Sequence, residues 1–229
     1  MVKKPSLLIF GGSSGIASPL IKVLKKKYEV ILFYNKRIPR EKNVKKIKLD
    51  FSRNLDFIKA LKGLNLNNKK IIVLNFASIK IDKISLFIDH NELIKTFNVN
   101  TFSFFKIIKN ILPIMMKKKW GRIINISSTG GRRGDKGTLL YTTSKNATES
   151  MMRVMSKEYA SMNITFNSLI LGNFNYGMYK KLSKSVKKEI LKKIPSGKTG
   201  NISNIVNAVN FVVQSEYING SAINVDGGY

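Results

Sequence analysis

Two side chains in the stretch Arg122–Ala147 have the types and spacing that suit proton transfer. Tyr141 and Lys145 are four residues apart, so on a helix they share one face. A free tyrosine hydroxyl titrates near ~10, and an ammonium beside it favours the phenolate, so we expect Lys145 to lower the pKa of Tyr141. The pair could then act as a general acid or base near neutral pH. A buried tyrosine beside a surface lysine would have the same spacing, so the pair alone does not settle the chemistry.

A strand, a glycine-rich loop and a helix are predicted to position this pair. An apolar run from Ile123 ends at Ser128, four glycines follow within nine residues, and a helical period resumes near Leu140. Ser128 is therefore expected at the carboxyl end of a strand, the edge at which open α/β sheets bind ligands. Its hydroxyl could hydrogen-bond a substrate oxygen. The three side chains together suit moving a proton on or off a carbonyl or carbinol oxygen while a hydride moves elsewhere.

A second candidate site lies near the start of the chain. The apolar run Ser6–Phe10 is followed by the glycine-rich segment Gly11–Ala17 and by a helical pattern that continues to Lys27. Glycines let a backbone approach a ligand closely, and a helix N-terminus offers free N–H groups and the positive end of its dipole. The order strand, glycine turn, helix therefore predicts a phosphate-binding unit.

The end of the second predicted strand, Glu29–Tyr34, carries basic groups and no carboxylate. It continues as Asn35-Lys36-Arg37. An acid at this point would bind a ribose 2′-hydroxyl, whereas basic groups suit a 2′-phosphate, so the sequence favours NADP(H) over NAD(H). The alternative is that Lys36 and Arg37 are two more basic residues in a basic chain.

Strand and helix patterns alternate along all 229 residues, which predicts one α/β domain with a parallel sheet and helices on both faces. Besides the two strands already named, strands are predicted at 44–49, 71–74, 123–128, 164–171 and 222–225, and helices at 55–61, 91–118, 140–161 and 202–213. Pro113 should kink the long helix or end its regular part.

Two further features of the pattern leave alternatives open. Asn100 lies among apolar neighbours inside the helix 91–118, so it needs a partner, either structural or in the active site through water. Residues 173–195 follow the carboxyl end of a strand, which places them to cover a ligand as a lid. The same residues could also form an ordinary surface helix with a solvated lysine face.

Composition narrows the function classes. The chain has no cysteine and one histidine, His90, at an expected helix start, so we expect no disulfide and no metal site. The 41 basic and 13 acidic side chains give a net charge of +28, but the lysines are spread over many elements, so no nucleic-acid partner is expected. The field should attract anionic ligands. No apolar run is long enough for a signal peptide or a membrane span, and we expect a cytoplasmic protein.

In their order along the chain, these motifs resemble those of the classical short-chain dehydrogenase/reductase family, over essentially the whole sequence. Ser128 and Tyr141 are 141 − 128 = 13 residues apart, the separation typical of that family, which selects Ser128 over Ser127. The segments that correspond to family motifs are Phe10–Ala17, Asn75–Ser78, Asn100, Ser128, Tyr141 with Lys145, Leu171-Gly172 and Asp226–Gly228.

The resemblance implies a single Rossmann-fold domain over residues 1–229 and four catalytic residues. Tyr141 would be the proton donor or acceptor, and Ser128 would orient the substrate oxygen. Lys145 would lower the pKa of Tyr141 and hold the nicotinamide ribose, and Asn100 would support a water that links Lys145 to solvent. The residues expected to bind the cofactor are Gly11, Ser13, Ser14, Gly15 and Ile16 at the pyrophosphate turn, Asn35, Lys36 and Arg37 at the 2′-phosphate, Asp50 and Phe51 beside the adenine, Asn75 and Ala77 along the adenosine ribose, and Tyr141, Lys145, Gly172 and Phe174 near the nicotinamide.

The sequence also departs from the family pattern. Phe10 replaces a small polar residue, Ala17 replaces the third glycine and Leu171 replaces the usual proline. The segment Phe174–Tyr176 stands where the family's usual carboxamide contact lies. None of these changes affects the Asn–Ser–Tyr–Lys set, so we expect a working enzyme with an unusual pocket.

Within the family, the chain looks closest to the β-ketoacyl-carrier-protein reductases. The resemblance thus implies an NADP(H)-dependent enzyme that interconverts a carbonyl and a secondary alcohol on a small or carrier-bound substrate, including anionic ones. Arg122 and the basic lid could receive an acidic carrier protein, and Arg132 and Arg133 could meet a carboxylate or phosphate; generic surface basicity is the alternative for each. Family members pack as homotetramers or homodimers through the two long helices. The rival hypotheses are an enzyme acting on a sugar or nucleotide-sugar in surface-polysaccharide synthesis, and a non-catalytic dinucleotide-sensing module.

Overall fold

The computed structural model describes residues 4–51, 59–61, 63–66, 69–177 and 179–229. Its strands all lie in one sheet. They are β1 (Ser6–Phe10), β2 (Glu29–Tyr34), β3 (Lys45–Lys48), β4 (Ile71–Asn75), β5 (Gly121–Ser128), β6 (Ile164–Leu171) and β7 (Ala222–Val225). The α-helices of the described ranges that we number are α1 (Ala17–Leu24), α2 (His90–Phe97), α3 (Ser103–Lys118), α4 (Gly130–Arg133), α5 (Leu139–Glu158), α6 (Lys184–Lys193) and α7 (Ile202–Gln214).

The sheet is parallel throughout and has the order β3-β2-β1-β4-β5-β6-β7. The chain winds outward from β1 in one direction and from β4 in the other, so the strand order reverses between β1 and β4. This is the doubly wound Rossmann arrangement that the sequence predicts, and ligands of such sheets bind beyond the carboxyl ends of the strands near the reversal.

The core explains why the central strands are apolar along their length. Every residue of β1, β4 and β6 is buried, as expected for strands covered by helices on both faces. One apolar cluster joins α1 and α7 to one face, and another joins α3 to the other face. The prediction of a parallel sheet with helices on both faces is therefore confirmed.

The long helix predicted over 91–118 differs in two respects. The chain is helical from His90 to Lys118, but Asn98–Phe102 forms a π-helical turn between α2 and α3. Pro113 does not end the helix, which continues for five residues beyond it. Pro113 and Lys109 both lie on the exposed face, so the Lys109 carbonyl that loses its usual partner there can bond water.

Other boundaries follow the predictions closely, with one correction. The loop predicted after Ser128 contains the short helix α4. The helix predicted over 55–61 lies mostly outside the described residues. Only residues 59–61 of that range are described, and they are helical. In the described part of the chain, no helix combines the length and the apolar character that a membrane crossing requires.

Candidate active site

Ser128 and Tyr141 meet at the carboxyl edge of the sheet. Ser128 is the last residue of β5, paired with Leu171 of β6, and Tyr141 lies in the first turn of α5. The Ser128 hydroxyl accepts a hydrogen bond from the Gly130 N–H at 3.2 Å. Its own hydrogen bond with the Tyr141 side chain favours the phenolate form. The sheet and one helix thus bring together two hydroxyls from residues 13 positions apart.

Lys145 lies behind this pair, one turn along α5, and is only 4% exposed. Its Nζ donates to the Ile126 carbonyl oxygen at 2.8 Å and lies 5.7 Å from the centroid of the Tyr141 ring. Burial lowers the pKa of Lys145 to about 8, and the Glu149 carboxylate opposes that shift. The ammonium therefore remains mostly charged at neutral pH, held between a strand carbonyl and an acidic side chain.

The predicted lowering of the Tyr141 pKa is wrong for this structure. Burial raises the pKa of Tyr141; the Ser128 hydrogen bond opposes this, and the Asp82 carboxylate adds to it. The sequence placed an ammonium beside the hydroxyl, but the Lys145 ammonium donates to a backbone carbonyl instead. A raised pKa keeps the phenol protonated near pH 7, which is the form that a proton donor needs.

Asn100 lies in the π-helical turn and has its amide satisfied by other groups. Its Nδ2 donates to the Ile79 carbonyl at 3.0 Å and to the Ser144 hydroxyl at 2.9 Å, and its Oδ1 accepts from the Ile79 N–H at 2.8 Å. The side chain thus ties the segment after β4 to α5. The predicted link from Asn100 to Lys145 through water stays a prediction.

The turn between β1 and α1 fits a phosphate group. Gly11 has φ +76°, and a Cβ there would lie 2.6 Å from the Ala77 nitrogen. The Ser14 hydroxyl accepts from the Ala17 N–H at 3.1 Å, while Ser13 is exposed and Ile16 packs against the core. The first turn of α1 holds no acidic residue. A backbone that approaches closely at a helix N-terminus is the cradle that a pyrophosphate requires.

The opposite side of that turn also meets glycine. A Cβ on Gly15 would overlap the backbone of Gly177, in the segment predicted to be a lid. This segment contains a 3₁₀ turn at Tyr179–Lys181 followed by α6. The candidate lid therefore lies directly against the candidate phosphate turn.

The ends of β2 and β3 place the predicted adenosine-side residues together. The Asn35 amide donates to the Asp50 carboxylate at 3.3 Å, and Lys36 and Arg37 are exposed. The Phe51 ring is buried against Phe10 at a centroid distance of 6.4 Å.

The departure at Phe10 has a structural explanation. Its ring stacks on Phe33 with centroids 4.3 Å apart, so it belongs to the core beneath the turn. A large apolar residue replaces the family's small polar one there without occupying the ligand side of the turn.

Four more predicted cofactor residues lie along the same edge. The Asn75 side chain accepts from the Ala77 N–H at 3.2 Å and donates to Asn125 at 3.3 Å. Gly172 packs so closely on the end of β7 that a Cβ would lie 2.7 Å from the Asp226 Cα. The predicted cofactor residue Phe174 is 2% exposed with its side chain in the core, so a cofactor contact there would use its main chain.

The three arginines singled out as partner or substrate contacts already have internal partners. Arg122 is 1% exposed and bonds the carbonyls of Val213, Gly121 and Asn163, so the prediction that it receives a carrier protein is wrong. Arg132 pairs with Glu149 at 2.9 Å, and Arg133 with Asp135 at 2.6 Å.

Two buried acids near the site were missed by the sequence analysis. Glu149 follows Lys145 by one helical turn, a spacing that could have indicated it. Glu41 is 5% exposed, and its carboxylate accepts a hydrogen bond from the Ser18 hydroxyl in the first turn of α1.

No group of three or more His, Asp or Glu side chains within the described ranges could hold a metal ion.

A family model described as Enoyl-(Acyl carrier protein) reductase matches residues 21–229. The chain belongs to the short-chain dehydrogenase/reductase family. This short-chain dehydrogenase/reductase is similar to the 3-oxoacyl-(acyl-carrier-protein) reductase FabG of Pseudomonas aeruginosa, with 31% identity over 160 residues, 69% of this chain and 65% of that protein. FabG of Aquifex aeolicus is 34% identical over 162 residues, 69% of this chain and 64% of that protein. The chain spans just under two thirds of the length of these relatives.

Solved structures agree with the fold of this short-chain dehydrogenase/reductase. A variant of ElxO with NADPH bound has a TM-score of 0.86 and 24% identity, covering 99% of this chain and 98% of that chain. ElxO with NADP bound has a TM-score of 0.85, with the same identity and coverage.

Proposed function

We propose that this short-chain dehydrogenase/reductase is an NADP(H)-dependent enzyme that interconverts a carbonyl and a secondary alcohol. The observation that carries the proposal is that the Ser128 and Tyr141 side chains meet at the carboxyl edge of the sheet, beside the buried ammonium of Lys145. Two hydroxyls that meet at the ligand edge of a doubly wound sheet can both bond one substrate oxygen.

The residues of the chain divide the proton chemistry between them. In the reducing direction, the Ser128 and Tyr141 hydroxyls donate hydrogen bonds to the carbonyl oxygen and orient it. Tyr141, protonated at neutral pH because burial raises its pKa, then gives its proton to that oxygen as the alcohol forms. The buried Lys145 cation stabilises the phenolate left behind. When bound, the nicotinamide ring supplies the hydride to the carbonyl carbon or accepts it in the reverse direction.

The cofactor would lie along the carboxyl edge of the sheet. The glycine turn Gly11–Gly15 would hold the pyrophosphate, and the exposed Lys36 and Arg37 would bind a 2′-phosphate. Those two basic side chains, together with the NADPH and NADP present in ElxO, support NADP(H) over NAD(H).

The substrate we propose is a 3-oxoacyl thioester, either of a small thiol or of an acidic carrier protein. The similarity to the two FabG proteins supports this class, and the net charge of +28 suits an acidic partner. A sugar or nucleotide-sugar substrate and a non-catalytic sensor are the outcomes that would contradict it.

The test compares turnover and cofactor binding in Tyr141→Phe with those in Tyr217→Phe, whose ring is fully exposed. With NADPH and short 3-oxoacyl thioesters, Tyr141→Phe should lower kcat by about 10²–10⁴-fold, because it removes the proton donor. NADPH titration by fluorescence should give an unchanged Kd for both variants.

Three results would contradict the proposal. Near-normal turnover in Tyr141→Phe would rule out the mechanism. Reduction of nucleotide-sugars but not of thioesters would replace the substrate class, and NADPH binding without turnover of any carbonyl compound would favour a sensor.

Three wider features complete the proposal. Residues 173–195 act as a substrate lid, supported by the contact of Gly177 with Gly15. The chain forms a homodimer or homotetramer through its long helices, supported by the exposed apolar side chains of Phe102, Phe105 and Val154. A cytoplasmic location stays a prediction.

A further inference from the structure

Glu149 is a buried acid that the proposed proton transfer does not use. It lies on α5, one turn after Lys145, and is 4% exposed. Its Oε1 accepts from the Ser127 hydroxyl at 2.6 Å. Its Oε2 accepts from Arg132 Nη2 at 2.9 Å and Nε at 3.3 Å. A carboxylate is costly to bury without partners. Here Ser127 of β5 and Arg132 of α4 both donate hydrogen bonds to the Glu149 carboxylate.

These two partners flank the catalytic serine. Ser127 directly precedes Ser128, and Arg132 follows it by four residues, in α4. The segment that carries Ser128 is therefore bonded at both ends to one side chain of α5, the helix that also carries Tyr141. A displacement of about 1 Å between reacting groups can cost about 10²-fold in rate, so this connection bears directly on the Ser128–Tyr141 contact.

We propose that Glu149 is a positioning residue: with Ser127 and Arg132 it fixes the end of β5 against α5, and it supplies the negative charge that faces Lys145. The inference rests on the proposed function, because it takes Ser128, Tyr141 and Lys145 as the reacting group.

Polar and charged groups from several elements surround Lys145. Its own helix, α5, carries Tyr141 and Glu149, and the Ile126 carbonyl of β5 accepts from the ammonium. Arg132 of α4 pairs with Glu149, and Asp82, which precedes α2, acts on Tyr141. Glu149 favours the charged form of Lys145. Arg132, a cation bonded to the same carboxylate, works against that effect.

Neutralising Glu149 and neutralising Arg132 should therefore change the pKa of Lys145 in opposite directions. Glu149→Gln keeps an oxygen that can accept from Ser127 but removes the negative charge and leaves Arg132 without its counter-ion. Arg132→Gln removes the opposing cation and leaves the carboxylate. If the connection were merely structural, both variants would loosen it and both would change kcat in the same direction without moving its pH dependence.

The experiment records kcat for 3-oxoacyl thioester reduction against pH in the wild type, Glu149→Gln, Arg132→Gln and Glu158→Gln. Glu158 is an exposed acid on the same helix and serves as the matched control. We expect the pH at which kcat falls on the alkaline side to be lower by about one unit in Glu149→Gln and higher in Arg132→Gln. In Glu158→Gln that pH should equal the wild-type value. Alkaline limbs that coincide in all four proteins, or shifts of the same sign in the two variants, would overturn the inference.

A second measurement does not depend on turnover. NMR titration of lysine side chains, with the Lys145 signal identified by its loss in Lys145→Met, should show the same opposite shifts of the Lys145 pKa. If those shifts appear but no carbonyl compound is reduced, the proposed function fails while the charge coupling stands. If turnover is normal and the Lys145 titration is identical in all variants, the coupling fails and the proposed function stands.

Discussion

Lys145 imposes a cost on folding because its ammonium is buried. In the unfolded chain a lysine titrates near ~10.4, whereas in the folded chain burial lowers the pKa to about 8. Between these two values the unfolded state binds more protons than the folded state, so this residue makes the protein more stable as the pH rises through that window. At neutral pH the cost is present in full.

Replacing Lys145 by methionine should therefore stabilise the protein at pH 7. The shift corresponds to roughly 3 kcal/mol, and loss of the hydrogen bond to Ile126 offsets about 1 kcal/mol, which leaves a gain of roughly 2 kcal/mol. Urea unfolding of the wild type, Lys145→Met and the exposed control Lys157→Met at pH 7 and pH 10 checks this. The advantage of Lys145→Met should shrink at pH 10; a difference that does not depend on pH would contradict it.

The residues of the site were predictable to different degrees. Ser128, Tyr141 and Lys145 could be singled out because a strand end and a helical repeat indicate where they lie, and the family resemblance selects Ser128 over Ser127. The hydrogen bond of Lys145 to the Ile126 carbonyl could not, since it depends on how closely α5 packs on β5, and the direction of the Tyr141 pKa was wrong for that reason. Glu149 was missed because acids on helices are usually exposed.

At the scale of the elements, the buried Arg122 side chain connects the start of β5 to a helix and a loop beside it. The guanidinium is bonded to the carbonyls of Val213, Gly121 and Asn163, pairs with Glu216 at 3.3 Å and lies 4.4 Å from the centroid of Trp120. It connects the start of β5 to the end of α7 and to the segment before β6. Its role is structural.

Arg122→Met should lower the free energy of unfolding by about 2–4 kcal/mol, because several buried carbonyls lose their donor. Arg153→Met, on the exposed face of α5, is the control and should change it by less than about 0.5 kcal/mol. Thermal and urea unfolding measure both. Equal stability of the two variants would mean that water replaces the guanidinium without cost.

At the same scale, strands were easier to predict than helix irregularities. The bounds of β6 agree with the run at 164–171 because a parallel strand buried on both faces is nearly continuous in apolar residues, and the bounds of the partly exposed edge strand β7 agree with the run at 222–225. The π-helical turn at Asn98–Phe102 has no such signal. It accompanies the contacts of Asn100 with Ile79 and Ser144, which are remote in sequence.

For the molecule as a whole, the charge of +28 should act on every anionic ligand. Such a field strengthens the binding of both cofactors, and that of NADPH more because its 2′-phosphate adds negative charge; the effect weakens as salt screens it, with a Debye length of about 10 Å at 0.1 M. A specific 2′-phosphate site differs, because only the side chains that touch that phosphate contribute to its preference. Removing equal charge at the predicted site and away from it separates the local site from the general field.

NADPH should bind at least about tenfold more tightly than NADH, since a charged hydrogen bond contributes roughly 1.5–3 kcal/mol. The double variant Lys36→Gln/Arg37→Gln should remove most of that preference, whereas Lys45→Gln/Lys46→Gln on β3, equal in charge, should weaken the binding of both cofactors and keep most of the preference. Fluorescence titration of the wild type and both double variants with each cofactor, at low and high salt, measures these affinities. A preference that both double variants reduce equally would assign it to the field.

The contact between Gly15 and Gly177 at the phosphate turn restricts how the sequence can evolve. A side chain on Gly15 would occupy the place of the Gly177 backbone, and Gly177 itself has φ +59°, where L residues other than Asn and Asp are disfavoured. Neither position can diverge freely while the segment 173–195 keeps its path. Descendants of this chain should therefore keep Gly15 and vary Gly177 only to asparagine or aspartate, unless an insertion first reroutes the segment and releases both positions together.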